Sequence, residues 1–509
     1  MIKSVILFLV TKEMSKKQQM HAKAGQERTE IMGQKQQALE IIQAERSGLE
    51  ALSDAIWDHP EVGYQETFAA ETFCGFLEEK GFLVERKLAG IETAFLGKFG
   101  AGSPVIGFLG EFDALPGMSQ EAGCFEKKPA AKGKPGHGCG HNLLGTGALA
   151  AALAVKAYLE KGHEGTVIFF GCPAEEGGAG KAFMAKAGVF DCLDAAFTWH
   201  PGDTCNVSSG TNLANCQVCY HFKGKASHAA IAPELGRSAL DAAELMNVGV
   251  QFLREHIPAS CRVHYAITNS GGSAPGVVQE EADVLYLMRA PELGMVRELY
   301  ERVSEIARGA AIMTGTKTEA EFIKATSNIL VNQTLGRVMQ KNLEELGAPA
   351  YDEDDREFAA KICGTLETKD RFFERLVEEI GDQEQYERLK PYVESSIYDV
   401  VIPYSGTIKQ SFASSDVGDV SWVCPVAQIS MPTMPGGVAM HSWQMTAVGK
   451  SAMAKKGMLR AGEVMAASAI DLFENPEIIE KAKAERDRRA GGLAYVSPIP
   501  DGVRPGNKK

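Results

Sequence analysis

Apolar residues recur at threes and fours between Gln36 and Asp58, where Ile41, Ile42, Leu49, Leu52 and Ile56 share a face. This spacing predicts a helix. His59-Pro60-Glu61 ends it, because the residue before a proline is pushed out of helical geometry. A second helix is predicted over Glu66 to Lys80, closed by Gly81. Phe95 to Phe99 and Val105 to Leu109 are short apolar runs that read as strands. Leu143 to Leu159 is apolar nearly all round, the mark of a buried helix. A strand at Thr166 to Phe170, a helix near Lys181 to Ala187 and a strand at Ala195 to Trp199 follow. The alternation predicts an α/β fold with a parallel-type sheet covered on both faces.

The pattern changes after about Thr211. Cys216 to Phe222 alternates like a half-buried strand. A helix at Ser238 to Phe252, strands at Cys261 to Thr268 and Ala282 to Arg289, and a helix at Glu292 to Thr314 complete an α+β module over residues 213–327. It interrupts a first domain made of 36–212 and 328–509. Asn332 to Leu346 returns to helix. Residues 348–398 are dominated by charge and read as a solvated helical excursion. A last strand is predicted at Val423 to Ile429, then a glycine-rich loop at Met434 to His441 and one long helix from about Thr446 to Leu472.

Composition narrows the function classes. The 509 residues are 45% hydrophobic and 23% charged, as in ordinary globular proteins. The formal charge of -13, without a long basic tract, argues against nucleic acid as a partner. Eleven cysteines scattered from Cys74 to Cys424 are not a disulfide framework. A reducing, cytoplasmic setting is the simpler expectation. The opening MIKSVILFLV resembles the start of a signal peptide, but no cleavage site follows and the run is far too short to span a bilayer. Residues 1–35 are therefore expected to be a flexible extension, with a ragged leader or a misassigned start at its beginning.

The candidate chemistry lies in strand-exit and glycine-rich segments, where an open α/β sheet binds its ligands. Asp113 follows the strand Val105 to Leu109. Cys139 and His141 stand two apart in Gly136-His137-Gly138-Cys139-Gly140-His141-Asn142, whose glycines allow both heads to point inward. Glu175 and Glu176 are adjacent in a loop, so they point different ways. One can hold a cation while the other moves a proton. His200 follows a strand and His441 sits in a glycine-rich loop. Thiolate, imidazole and carboxylate together suit zinc or manganese, with the thiolate leaning toward zinc. Each residue alone has a plainer reading: a buried thiol, a core or capping histidine, a solvated acidic pair. Cys216-x-x-Cys219 is not a persuasive metal pair, because i and i+3 on a strand face opposite sides. Gly271, Gly272 and Gly276 carry no phosphate-loop fingerprint.

The segments GEFDALPG, GHGCGHN, CPAEEGG, WHPG, KGKASHAA and SSDVGDVSWVCP resemble the amidohydrolase branch of the M20 metallopeptidase family, and within it the aminobenzoyl-glutamate-hydrolase-like subgroup. The resemblance runs from about residue 40 to near 475. It implies a zinc-peptidase-like catalytic domain with an inserted lid and dimerisation domain. It also implies two divalent ions held by Cys139, His141, Glu176, His200 and His441, with Cys139 able to bridge them. Glu175 corresponds to the general base, Asp113 to the carboxylate supporting the metal-site histidine region, and His228 to a lid residue that stabilises the oxyanion, often across a dimer. Ser414, Ser415 and Asp416 border the pocket by the same resemblance. Glu111 stands where many M20 peptidases have a ligand histidine, and Asn142 where an aspartate is common.

The implied reaction is hydrolysis of the amide bond of a small N-acyl amino acid or dipeptide, aminobenzoyl-glutamate being the subgroup's instance. The implied assembly is a homodimer, or a heteromer with a related A-type subunit. Asn215, Asn247, Arg289, Asn328 and Asn332 are further candidate polar contacts, each more readily structural. Other readings are a dipeptidase or auxin-type conjugate hydrolase, a non-catalytic partner subunit, and a cysteine hydrolase using Cys139 and His141.

Overall fold

The structure, a computed structural model, describes residues 33–506. The expected flexible extension at 1–35 lies almost wholly outside them. Helical residues 33–44 and the helix Arg46–Asp58 fulfil the first predicted helix, with a turn at Glu45 between them. The helix Thr67–Glu79 ends on Gly81, whose φ of 79° suits a residue without Cβ.

The first sheet is built from β1 (Leu83–Arg86), β2 (Phe95–Ala101), β3 (Val105–Glu111), β4 (Gly165–Cys172), β5 (Ala195–Gly202), β6 (Asn206–Val207) and β11 (Val426–Pro432). Their order across it is β1-β2-β4-β3-β5-β11-β6. The expected parallel-type sheet is only its centre. β4, β3, β5 and β11 run parallel, while β1, β2 and β6 add antiparallel edges. The short β1 and β6 carry little apolar signal, which is why periodicity passes over them.

Side chains alternate across this sheet into two cores. Ile106, Phe108, Val167 and Phe169 pack under the helices His141–Leu159 and Ala452–Glu474. Leu109, Ile168 and Phe170 face the helix Gly180–Lys186 on the other side. Among the described residues, His141–Leu159 is the one helix long and apolar enough to cross a membrane, and it is buried in this core. Gly147 brings it against β5: a Cβ there would sit 2.7 Å from the Trp199 indole nitrogen, which donates to the Leu144 carbonyl.

The second sheet is antiparallel and consists of β7 (Ala214–Lys223), β8 (Arg262–Asn269), β9 (Glu281–Ala290) and β10 (Lys317–Thr326), in the order β10-β7-β9-β8. The helices Ala239–Arg254 and Leu293–Thr314 cover one face. Strand β10 is an addition to the expected module. Its sequence KTEAEFIKAT puts charged or hydroxyl side chains at most positions and reads as solvated chain.

Three further expectations are corrected. The last strand starts at Val426, because Val417–Val423 is a helix that caps the end of the core. The long C-terminal helix is interrupted: Trp443–Val448 ends at Gly449, whose missing Cβ admits the Trp57 indole, and Ala452–Glu474 begins anew on a Ser451 cap. The acidic excursion is helical, but not merely solvated. Its helices Glu353–Cys363, Phe372–Glu378 and Gln383–Leu389 bury Phe373, Val377 and Leu389 against Tyr398, Val400 and Ile402.

Candidate metal centre

The carboxyl ends of β3, β4, β5 and β11 point to one side, and the candidate residues gather there. Glu111 ends β3, and Asp113 follows it. Glu175 and Glu176 leave β4, His200 lies near the end of β5, and His441 follows β11. Cys139 precedes the helix that His141 opens. The intervening Gly140 has φ 74°, and a Cβ there would meet Met445 and Pro201 at 2.7 and 3.0 Å. Only glycine fits that bend.

Donor atoms of Cys139, His141 and His200 lie within 4.8 Å of one another, and so do those of Cys139, Glu176 and His441. Cys139 belongs to both groups. A third group joins Glu111, His141 and Glu175 within the same limit. The surroundings aim these atoms. Asp113 Oδ1 is 2.9 Å from His141 Nδ1, and its Oδ2 accepts the Glu176 backbone N–H at 3.0 Å. This fixes the His141 tautomer and leaves Nε2, buried and without a hydrogen-bond partner, turned to the cluster. His200 Nδ1 is 2.8 Å from the Pro201 carbonyl, so its Nε2 faces Cys139 Sγ at 3.6 Å. His441 Nε2 stands 3.3 Å from Glu176 Oε1.

The electrostatics suit a cation. Burial pushes the Cys139 thiol well up, so a positive ion is needed to hold it as thiolate. Burial alone would raise Glu176, yet the His441 hydrogen bond and the charges of His141 and His441 outweigh it and hold the carboxyl at about 2. Enclosure, with the charges of Glu111 and Asp416, raises Glu175 to about 8 against the opposing pull of Lys181 and His141. A buried imidazole nitrogen without a hydrogen-bond partner, a thiol and a carboxylate thus converge with no lysine or arginine among them, and the donor set fits a divalent metal.

Several contributors escape sequence reasoning. Lys181 is wholly buried, and its ammonium lies 2.7 Å from Glu111 Oε1 and 2.6 Å from Asp416 Oδ1. Glu66, buried beneath the glutamate loop, accepts from the Ala174 N–H at 2.8 Å and from the Thr93 hydroxyl at 2.9 Å. The Tyr64 hydroxyl donates to the Gly178 carbonyl. Ala174 and Ala179 both have φ 59°, a left-handed geometry costing about 1–2 kcal/mol per non-glycine residue. The tethers from Glu66 and Tyr64 hold that loop in place.

A cleft of about 990 Å3 opens beside the cluster. Glu111, Cys139, Glu175, Glu176, His200 and His441 form its floor. Ser414 and Ser415 line one wall, and Phe372, Arg375 and Leu376 of the acidic excursion form part of the rim. Phe412, half-exposed, lines the cleft as well.

Two neighbours in the glycine-rich segment, His137 and Asn142, and several of the expected residues lie elsewhere. His137 is buried against the Ile56 carbonyl, with burial lowering it to about 4, and stands outside the ligand groups. Asn142 bonds Ser53 Oγ and the Gly449 carbonyl. Asn247 accepts from the Tyr286 hydroxyl at 2.6 Å, inside the packing of the second sheet. Asn332 caps the helix Gln333–Leu346, and the Asn328 carbonyl accepts from the Trp422 indole. His228 occupies an exposed turn, where its Nδ1 accepts from the Ala230 and Ile231 N–H groups. One chain does not bring it to the cluster.

A mixed α/β sheet that collects a thiol, imidazoles and paired glutamates at its carboxyl edge defines a metal-dependent hydrolase of the amide- and peptide-cleaving kind. Comparison with known proteins agrees, and the chain belongs to peptidase family M20/M25/M40, whose profile matches residues 107–369. It is 46% identical to the B-type subunit of the Escherichia coli p-aminobenzoyl-glutamate hydrolase over 469 residues, 92% of this chain and 97% of that one. It is 33% identical to the Xaa-Arg dipeptidase of Mus musculus over 63% of this chain and 73% of the relative. The crystal structure of Bacillus subtilis YXEP protein, described as a dinuclear metal binding peptidase from the M20 family, shares the fold. The TM-score is 0.52 at 18% identity, covering 85% of this chain and 99% of that one.

Proposed function

We propose that the chain hydrolyses the amide bond of an N-acyl amino acid, with aminobenzoyl-glutamate as its substrate. The observation that carries this reading is the half-buried Glu175 set beside two ligand groups that share Cys139. The near full-length likeness to the E. coli hydrolase supports the choice of substrate. Cys139, His141 and His200 would hold one ion, and Cys139, Glu176 and His441 a second. The thiolate favours zinc over manganese. When bound, the metal supplies Lewis acidity and an acidified water.

The chain's own groups do the rest. Asp113 orients His141. Glu175 accepts a proton from water and delivers it to the departing nitrogen. His228, in the lid formed by 213–327, offsets negative charge on the carbonyl oxygen when it is brought in from a second copy. The assembly is thus a homodimer, or a heteromer with an A-type subunit as the names of the E. coli relatives suggest. Ser415 borders the bound substrate. Phe372 and Phe412 at the rim offer apolar surface to an aromatic acyl group.

Metal content per chain and glutamate release from aminobenzoyl-glutamate test the reading, with zinc or manganese, with and without chelator, beside a panel of N-acyl amino acids and dipeptides. Chelator-sensitive turnover with aminobenzoyl-glutamate preferred is the expected result. Preference for a dipeptide would move the assignment to the dipeptidase reading. Absence of both metal and turnover would leave a non-catalytic subunit.

A further inference from the structure

The segment 491–506 leaves the helix Pro476–Arg489 and runs on in turns, without helix or strand. None of its residues belongs to a ligand group or lines the cleft. It is nevertheless pinned to the catalytic domain. Ile499 is buried in the second core, and Val503 packs against that core. The Ile499 and Pro500 carbonyls accept from the Lys186 ammonium at 3.0 and 2.6 Å. The Tyr495 hydroxyl donates to Asp419 Oδ1 at 2.9 Å. Gly506 lies on Tyr64, where a Cβ would touch the ring at 3.4 Å. Between these points the segment borders a cavity of about 660 Å3 shared with Ala185, Trp422 and Arg486, so its hold rests on a few pins.

The elements it grips are those that carry the floor of the site. Lys186 ends the helix Gly180–Lys186, near whose start Lys181 lies. Asp419 lies in the helix Val417–Val423, one turn on from Asp416, the partner of Lys181. Tyr64 is the most direct link. Its hydroxyl holds the Gly178 carbonyl at 2.7 Å, and a Cβ on Gly178 would collide with the same ring. The Gly178 N–H donates to the Ala174 carbonyl at 2.9 Å, which closes a turn around Glu175, Glu176 and Gly177. Glu66 and Asp113 hold the Ala174 and Glu176 N–H groups, while Tyr64 holds the far end of the turn. Tyr64 itself has φ 64°, a geometry that a non-glycine residue keeps only where its surroundings impose it.

We propose that residues 491–506 act as a strap that positions Glu175, through Tyr64 and the turn 174–178. The proposal rests on the role of Glu175 as proton carrier and deepens it. A proton-transfer group works only within hydrogen-bond reach of its water, and misplacement by about 1 Å lowers the rate on the order of 100-fold. The turn would relax if Tyr64 let go, because Ala174 and Ala179 flank it in left-handed geometry.

The strap is loosened in the full chain by Ile499→Ser, which removes its buried plug, and separately by Tyr495→Phe, which removes one hydrogen bond. Ile499→Val keeps the plug. Hydrogen exchange of the metal-loaded proteins reads the turn directly. In Ile499→Ser, residues 173–180 should exchange about 10-fold faster or more, and in Tyr495→Phe by a smaller factor. Residues 136–141, which the strap does not touch, should keep their wild-type rate. Turnover reads the positioning. Ile499→Ser should lower kcat about 10-fold or more with KM within about 2-fold of wild type, and Ile499→Val should stay near wild type. Tyr64→Phe should lower kcat likewise. Adding Ile499→Ser to it should lower kcat less than about 2-fold further, because both changes act on one turn through one residue.

Unchanged exchange over 173–180, or equal acceleration over 136–141, would overturn the strap whatever the turnover. Additive losses in the double variant, or faster exchange with kcat intact, would overturn its action on Glu175 through Tyr64. Selective acceleration in a chain that hydrolyses no amide would uphold the strap while the hydrolytic reading fails.

Discussion

Enclosure of Glu175 beside Glu111 and Asp416 makes its carboxyl a tighter proton holder than an exposed glutamate, which is the property an acid–base shuttle needs. Replacing it by glutamine keeps the shape and removes the shuttle. Glu175→Gln is expected to retain its metal, read by elemental analysis, while kcat falls by about 10²–10⁴-fold. Normal turnover in that variant would sink the assignment. Glu66 gives a prediction about stability. Burial, with the Asp113 charge, raises its carboxyl from 4.5 to about 8. A carboxyl raised in the folded chain binds its proton more tightly there than in the unfolded chain. Its contribution is full below about 4.5 and is lost as pH rises through about 8. Glu66→Gln mimics the protonated form and keeps the acceptor for Ala174. Between pH 5 and pH 8 the wild type should therefore lose more stability than Glu66→Gln, as read from urea unfolding at the two pH values. Parallel losses would show that Glu66 does not titrate in this window.

At the level of elements, the site depends on how closely the helix His141–Leu159 lies on β5. Gly147→Ala would drive a methyl into the Trp199 indole, and overpacking of a filled core costs about 1–3 kcal/mol. The melting temperature should fall. Because His141 opens the same helix, metal affinity measured by competition with a chelator should fall with it. An unchanged melting temperature would mean that the helix and β5 can separate at no cost. Legibility from sequence follows the same logic of elements. Buried strands and the apolar helix announce themselves through periodicity, and the glycine-rich loops through composition. The strand β10 does not, since four of its ten residues are Lys or Glu. Lys181 is equally silent because a partner 70 residues upstream and another 235 downstream, Glu111 and Asp416, make it stable in the interior, and such pairing leaves no local trace. His137 sits beside His141 in sequence, yet the bend at Gly140 turns the two imidazoles to different surroundings.

For the whole molecule, the unfinished part is His228, exposed on its turn and away from the cleft of its own chain. If a second copy supplies it, two inactive variants complement each other. A chain with Glu175→Gln still offers His228, and a chain with His228→Ala still offers Glu175. Random pairing makes half of the dimers mixed, with one competent site each, so about a quarter of all sites regain function. Equal amounts of the two variants, unfolded and refolded together, should approach about a quarter of wild-type activity in an assay of released glutamate. Activity at the level of the separate variants would mean that each chain completes its own site or that the protein acts as a monomer. The acidic excursion belongs to this scale as well. Its helices fold on a small core of their own, yet they place Phe372 and Arg375 at the cleft rim, so changes far along the chain reach the mouth of the site.

The two ligand groups become complete at different times in the life of a chain. Cys139, His141 and His200 are synthesised before residues 213–327, whereas His441 follows more than two hundred residues later and is docked by its backbone N–H on the Gly138 carbonyl at 2.9 Å. A growing chain can thus gather the first three donors but not the pair of groups that share Cys139. On the proposed ligand set, synthesis itself would order the loading of metal, and turnover of amides would wait for His441 in the last quarter of the chain.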